Sequence, residues 1–367
     1  MVEKLYGRNL RSNESNPRRA SQPDESLIVP AQSEKQVARF IALQEELKAW
    51  GEALSRHRPE TSPPLHGFLD GQAPQALIKS RASRYRMPRK LKQELIDRFV
   101  SGISSEKPKV MIIAAHQDDE SIGAGGQLCT VSDAWVVHVT DGAPADPGVA
   151  LRYGFATRDE YAEARRKELN AALDVAGVLP EHRLCLNYVD GQASLVMVDL
   201  VLRLADLIDS IKPDIIITHP YEGGHTDHDA TAFAVHLACG LLRREGLKPP
   251  ALLEMTSYYR RESRRVVHDF LPHKRADKGQ RTVHLDQEQQ ERKREMYDCF
   301  ATQRQVLRNF ATEMEKFRPA PRYNFTRPPH EGQLNYERFG EPYRGHRWRR
   351  DAEEALARLS MRKTVSA

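Results

Sequence analysis

Within five residues the chain places one imidazole and three carboxylates, His116, Asp118, Asp119 and Glu120, directly after the apolar run 110–115 and just before a glycine-rich turn. Like charge at this density needs a reason. A divalent cation supplies one, because it neutralises the repulsion and accepts imidazole nitrogen and carboxylate oxygen together. A solvated acidic turn is the plain alternative. About a hundred residues later a second cluster, His225, Asp227 and His228, follows another apolar run, 213–220. Thr226 and Asp229 have the spacing of a capping box, so a helix is expected to start at Thr226, with His225 just before its first turn and His228 on it. A His-x-Asp-His element at the mouth of a helix is not a core pattern. The two clusters together point to a metal-dependent hydrolase.

The same residues resemble the two signature motifs of the PIG-L/LmbE-like family of zinc-dependent de-N-acetylases. The resemblance covers residues 107–260 well and extends to about 350. The family usually has proline where Gln117 and Thr226 stand, two positions that supply no metal ligand. It implies Zn2+, or another divalent metal, held by His116, Asp119 and His228, with Asp118 as general base. The residues alone leave open which of the adjacent aspartates binds the ion. His225 is expected to stabilise the oxyanion, with Asp227 holding its imidazole cationic and oriented. Arg165 is a substrate candidate by the same resemblance; Asp141 and Glu120 are weaker ones, Asp141 being equally suited to capping a turn. The implied reaction is removal of an N-acetyl or other N-acyl group from an amino-sugar conjugate. Two further readings stand beside it: hydrolysis of another bond such as a phosphoester, where sites usually gather more carboxylates and two ions, and a non-catalytic metal-bound scaffold. Two acid/base groups beyond what a structural ion needs, Asp118 and His225, weigh against the scaffold.

The elements that must position these residues are legible as alternating strand and helix patterns. Strands are expected at 110–115, 134–142, 184–189, 213–220 and 252–259, with helices over 123–132, 157–177, 195–211, from 226, and over 286–310. Such alternation predicts an α/β, Rossmann-like three-layer fold with a mostly parallel sheet. Parallel strands buried on both faces explain the unbroken Val/Ile runs. The expected organisation is a disordered leader over 1–32, a helical extension over 33–105, the deacetylase domain over 106–310 and a tail over 311–367 that wraps the core. The extension includes an amphipathic helix over 34–56, a basic linker with seven Lys/Arg over 79–92, and a second short helix over 91–100. The first of these helices is the sort of element that subunits exchange, which makes a homo-oligomer an expectation.

Composition bounds the remaining classes. The 367 residues, 40% of them hydrophobic, suffice for one sizeable core, and the net charge of +5 does not by itself imply nucleic acid. No stretch approaches the roughly 18 apolar residues of a membrane span, so a soluble cytoplasmic protein acting on a small-molecule or glycoconjugate substrate is expected. The four cysteines lie far apart in apolar patterns, which suits reduced packing thiols.

Overall fold

In the computed structural model the described residues are 87, 89–101, 107–339 and 344–361, all within the unit Asp70–Ala367. The expected leader, the helix over 34–56 and most of the basic linker lie outside them.

After α1 (Arg89–Ser101), the chain alternates β1 (Val110–Ala114), α2 (Asp119–Leu128), β2 (Ala134–Pro144), a short α3 (Pro147–Arg152), α4 (Arg158–Val175), β3 (Arg183–Asp190), α5 (Met197–Ile211), β4 (Ile215–Thr218), α6 (Thr226–Arg244) and β5 (Ala251–Met255). These five strands are parallel and lie in the order β3-β2-β1-β4-β5. All of β1 and β4 is buried, as their continuous apolar sequences require. The strand order reverses between β1 and β4, and outside the carboxyl ends of such a pair an open α/β sheet leaves its ligand crevice. Both motifs begin there.

Beyond β5 the chain departs from simple alternation. The run expected to be one strand over 252–259 splits at Thr256 and Ser257 into β5 and a separate hairpin, β6 (Tyr258–Arg261) with β7 (Arg264–Val267). The expected helix over 286–310 is α7 (Gln287–Cys299), a break at Phe300, and a single turn α8 (Arg304–Leu307). Phe300 is fully buried with a non-helical φ/ψ of −90° and 71°, so its packing in the core overrides continuation of the helix. Two strands, β8 (Arg281–His284) and β9 (Met314–Pro319), extend the sheet antiparallel from β5 in the order β5-β9-β8. Their short polar sequences carry no period-2 signal.

A buried ion pair fastens this addition to the first motif. Glu315 on β9 accepts from the backbone N–H groups of Gly126 and Gln127 at 2.7 and 3.0 Å, and Lys293 of α7 donates to Glu315 at 2.7 Å and to the Ile122 carbonyl at 2.9 Å. α2 can lie this close because Gly126 has no side chain; a Cβ there would stand 2.3 Å from Leu285 Cδ1. The final helix α9 (Gly345–Met361) docks through Trp348, whose indole N–H donates to the Thr226 carbonyl at 3.1 Å. Cysteines 129, 185, 239 and 299 are free thiols, and no described helix is long and apolar enough to cross a membrane.

Removing one partner of a buried pair leaves an uncompensated charge, so Glu315→Ala is expected to lower stability by about 3–5 kcal/mol in denaturant unfolding, with Lys293→Met in the same chain recovering part of the loss. A pH effect follows from His268, whose Nε2 accepts the Ala311 N–H at 2.6 Å. Burial, helped by Lys293, lowers its pKa from 6.5 to about 4. Between those values the unfolded chain binds a proton that the native one does not, so stability present above about pH 6.5 is lost as the pH falls toward 4. His268→Gln is expected to flatten that part of a Tm-against-pH curve.

Candidate metal centre and active site

The first motif turns on an unusual backbone. Asp118, the residue before α2, has φ 139°, a region that side-chain-bearing residues rarely occupy and that clusters at functional sites. Its carboxylate makes no capping hydrogen bond. It stands 3.7 Å from Arg165 Nη2 and lines a cavity of about 220 Å³ together with His116, Asp119, Asp190, His225, His228 and Tyr258. Helix α2 begins at Asp119 rather than near Gly123, because acids in a first turn are favoured by the positive end of the helix dipole.

Asp119 faces elsewhere, as adjacent loop residues must. Its Oδ2 accepts the His116 N–H at 2.9 Å and lies 3.3 Å from His116 Nδ1, while its Oδ1 lies 3.2 Å from His228 Nε2. The third side of this triangle, His116 Nδ1 to His228 Nε2, is 3.3 Å. Four-coordinate bonds of about 2.0–2.1 Å place neighbouring ligand atoms about 3.3–3.4 Å apart, and each of these contacts has about that length, the two imidazoles meeting different oxygens of the Asp119 carboxylate. The outer nitrogens agree. His116 Nε2 stands 3.1 Å from Asp190 Oδ1 and 3.3 Å from Asp227 Oδ2, and His228 Nδ1 stands 3.3 Å from Ser257 Oγ. Tautomers assigned from those partners place both ring protons outward, so that two lone pairs face each other across the triangle and call for a cation between them.

Three His/Asp groups in the described residues can hold a metal ion: His116, His225 and His228; Asp119, His219 and His228; and His116, Asp190 and Asp227. Hydrogen bonding thins this set. His219 Nε2 already accepts the Ala115 N–H at 2.9 Å, and His225 Nδ1 accepts the Asp227 N–H at 3.2 Å. Both Asp227 oxygens are taken by backbone donors, Gly191 N at 2.6 Å and Ala193 N at 3.1 Å. His116, Asp119, Asp190 and His228 remain; Asp190 faces the outer Nε2 of His116, and the other three face one another.

Burial and charge separate the acids and bases. The His116 pKa, which burial would lower, is held well above its usual value by the Asp190 carboxylate and by hydrogen bonds to Asp119, Asp190 and Asp227. Burial dominates at His228 and His225, both lowered. Asp119 is held well below the carboxylate range, against burial, by His228 and His219. Burial raises Asp118 to about 8 despite Arg165.

Several expectations need correction. The helix starts at Thr226 as expected, but its cap is His225: the imidazole Nδ1 accepts the Asp227 N–H, and the Asp229 carboxylate accepts from Glu222 N and Gly223 N instead of closing a capping box. Asp227 does not grip the His225 ring through its carboxylate; that group ties the 190–193 turn to α6 and approaches His116. With Nδ1 an acceptor, His225 is a neutral ring whose proton sits on Nε2. Glu120 is fully buried behind the loop, bonded to His138, Ser121 and the Asp118 N–H, so it shapes the turn rather than the cavity. Asp141 is paired with Arg158 and caps Ala143 N, outside the cavity lining. Arg165 is in the cavity wall, 2% exposed, and donates to the Gln117 carbonyl. Sequence reasoning missed Asp190, Ser257 and Tyr258. Asp190 alone carried a signal, an acid at the carboxyl end of a parallel strand; the other two become neighbours only through the split after β5.

The fold and this donor set define an α/β protein whose crevice, at the switch point of a parallel sheet, could hold a metal ion. Residues 111–239 match the PIG-L family, described as GlcNAc-PI de-N-acetylase. The match falls on the segment that carries both motifs. It is 30% identical over 140 residues to a probable N-acetyl-alpha-D-glucosaminyl L-malate deacetylase 2 of Bacillus cereus, a match spanning 37% of this chain and 63% of that relative. Among solved structures it is similar to the A40926 pseudoaglycone deacetylase (21% identity, TM-score 0.44, 60% of this chain and 99% of the other). It is also similar to the N,N'-diacetylchitobiose deacetylase of Pyrococcus horikoshii (20% identity, TM-score 0.39, 65% and 94%).

Loss of the Asp227 carboxylate removes two hydrogen bonds to an ionised acceptor, each worth about 1.5–3 kcal/mol. Asp227→Ala is therefore expected to speed amide exchange at Gly191 and Ala193 by at least about tenfold, measured by hydrogen exchange; unchanged protection there would remove the tie assigned to it.

Proposed function

We propose that the protein is a metal-dependent amide hydrolase, with zinc as its ion, that removes an N-acyl group from an amino-sugar conjugate. The observation that carries the reading is the triangle of His116 Nδ1, Asp119 carboxylate and His228 Nε2, with sides of 3.2–3.3 Å, opening on the cavity that Asp118 and His225 also line. Two imidazoles and one carboxylate are a catalytic rather than a structural zinc donor set, since structural sites close with four protein ligands. The PIG-L match and the deacetylase relatives support the same bond class.

An ion bound there would supply a water acidified from 15.7 toward about 7 and a Lewis acid for the amide carbonyl. The chain's own residues do the rest. The Asp118 carboxylate, free of capping bonds and open to the cavity, accepts a proton from the attacking water and passes it to the departing amine. Arg165 beside it, together with the charge of a bound ion, would favour the ionised carboxylate before attack, against the burial that raises its pKa. The neutral His225 ring presents Nε2–H as a donor to charge developing on the carbonyl oxygen, a contribution of about 3 kcal/mol for one such donor. Tyr153, Tyr161 and Val306 line the cavity and furnish apolar faces for a sugar ring.

Metal-replete protein is expected to release acetate from N-acetylglucosamine conjugates and to stop on addition of a chelator. Asp118→Asn should keep its metal by elemental analysis while turnover falls about 10²–10⁴-fold, and His116→Ala should lose both. Full turnover in Asp118→Asn, or acetate release untouched by the chelator, would sink the assignment.

A further inference from the structure

The turn that brings Asp190 to the catalytic cavity lines a second cavity with its next residues, Gly191 and Gln192. The same single step separates His225, in the wall of the first, from Thr226, in the wall of the second. Arg344, just before α9, and Arg347, in its first turn, also line this second cavity. The two cavities share no lining residue. At about 130 Å³ against about 220 Å³, the second is the smaller, with room for a small ion rather than another sugar.

Positive charge is in excess there. Two guanidinium residues stand against one carboxylate residue, Asp351, and burial raises that carboxyl despite Arg347 and Arg350. Arg347 is also badly placed for its own helix, because the first turn of α9 has no acid and a cation at the positive end of a helix dipole is disfavoured. The 19-residue α6 adds a second positive end through Thr226. Its first-turn acids are engaged elsewhere, Asp227 with Gly191 and Ala193, and Asp229 with Glu222 and Gly223. Thr226 itself is 3% exposed, and its hydroxyl has no hydrogen-bond partner among the described residues. Buried polar side chains ordinarily find one.

We infer that this second cavity binds a small, doubly charged free oxyanion of the phosphate or sulfate type, and that the ion ties α9 to the 191–195 turn. Guanidinium groups hold such ions through paired, charge-assisted hydrogen bonds. The Thr226 hydroxyl gains an acceptor for its proton, Ser194 of the turn offers a second hydroxyl, and the start of α6 favours the negative charge. The ion also offsets the unfavourable position of Arg347 in α9. No metal, sugar or turnover enters this site, so it stands or falls apart from the amide-hydrolase reading.

Calorimetric titration of the full chain at low salt compares inorganic phosphate, sulfate and acetate, first with metal-replete protein and then after treatment with a chelator. Phosphate and sulfate are expected to bind one ion per chain at least about tenfold more tightly than acetate, or about 1.4 kcal/mol, whether or not metal is present. Arg344→Gln/Arg347→Gln should weaken phosphate binding at least about tenfold, and Thr226→Val, which removes only the hydroxyl, several-fold. Phosphate should also raise the Tm of the natural chain above its value in chloride of equal ionic strength, and raise that of the double variant less. If the double variant does not fold, the Thr226→Val titration decides. Absence of phosphate binding, unchanged affinity in the variants, or acetate binding as tightly as phosphate overturns the inference. So does binding that disappears with the chelator, which would place the ion on the catalytic metal instead.

Discussion

Two imidazole nitrogens face each other at 3.3 Å across the carboxylate of Asp119, and the surrounding structure is arranged to keep them there. A lone pair directed at a lone pair is repulsive, so once the ring protons sit on the outer nitrogens the contact needs a cation between the rings, a metal ion or a further proton. Asp190 and Ser257 hold those protons on the far side of each ring. The parallel sheet supplies the convergence. β1 delivers His116 and Asp119 and β4 leads to His228, and because these strands are neighbours across the switch point, segments about 110 residues apart in sequence end within one crevice.

Around that contact the buried polar groups are assigned to neighbours, which fixes what each can do. The backbone N–H of Ala115 occupies His219, and that of Asp227 occupies His225. Two histidines that stand close enough to ligate are thereby turned into a packing ring and a neutral donor. The Asp227 carboxylate, held by Gly191 and Ala193, fastens the turn that carries Asp190, so the residue orienting His116 is itself oriented from α6. Asp118 is the exception. Its φ of 139° and uncapped carboxylate leave it the acid in the crevice with the fewest prior commitments, which is what a proton-transfer group requires.

The carboxyl-terminal additions work at longer range. β9 reaches under α2 with Glu315, α9 presses Trp348 onto the first turn of α6, and both contacts steady the helices that begin at the two motifs. The split after β5 releases Ser257 toward His228 and lets the β6–β7 hairpin bring Tyr258 to the cavity wall. Additions to the sheet edge therefore both stiffen the centre and shape what can approach it.

The chemistry was legible in the chain because it is local. His116, Asp118 and Asp119 are neighbours in sequence, as are His225 and His228, and the Val/Ile runs before them announced buried parallel strands without any tertiary knowledge. What the sequence could not decide was direction. Whether Asp227 gripped His225 or the 190–193 turn, whether Glu120 and Asp141 faced the cavity or their own loops, and whether Asp190 mattered at all depended on which hydrogen-bond donors from distant strands arrived beside them. The antiparallel pair β8–β9 was invisible for a related reason: its residues, Arg281 to His284 and Met314 to Pro319, owe their extended form to pairing partners across the sheet rather than to a pattern of their own. Residue types and spacing by themselves pointed to a metal-binding cluster with carboxylates beside it; only the packing of strands against helices decided which atoms meet, because a side chain's orientation is set by the neighbours that satisfy it.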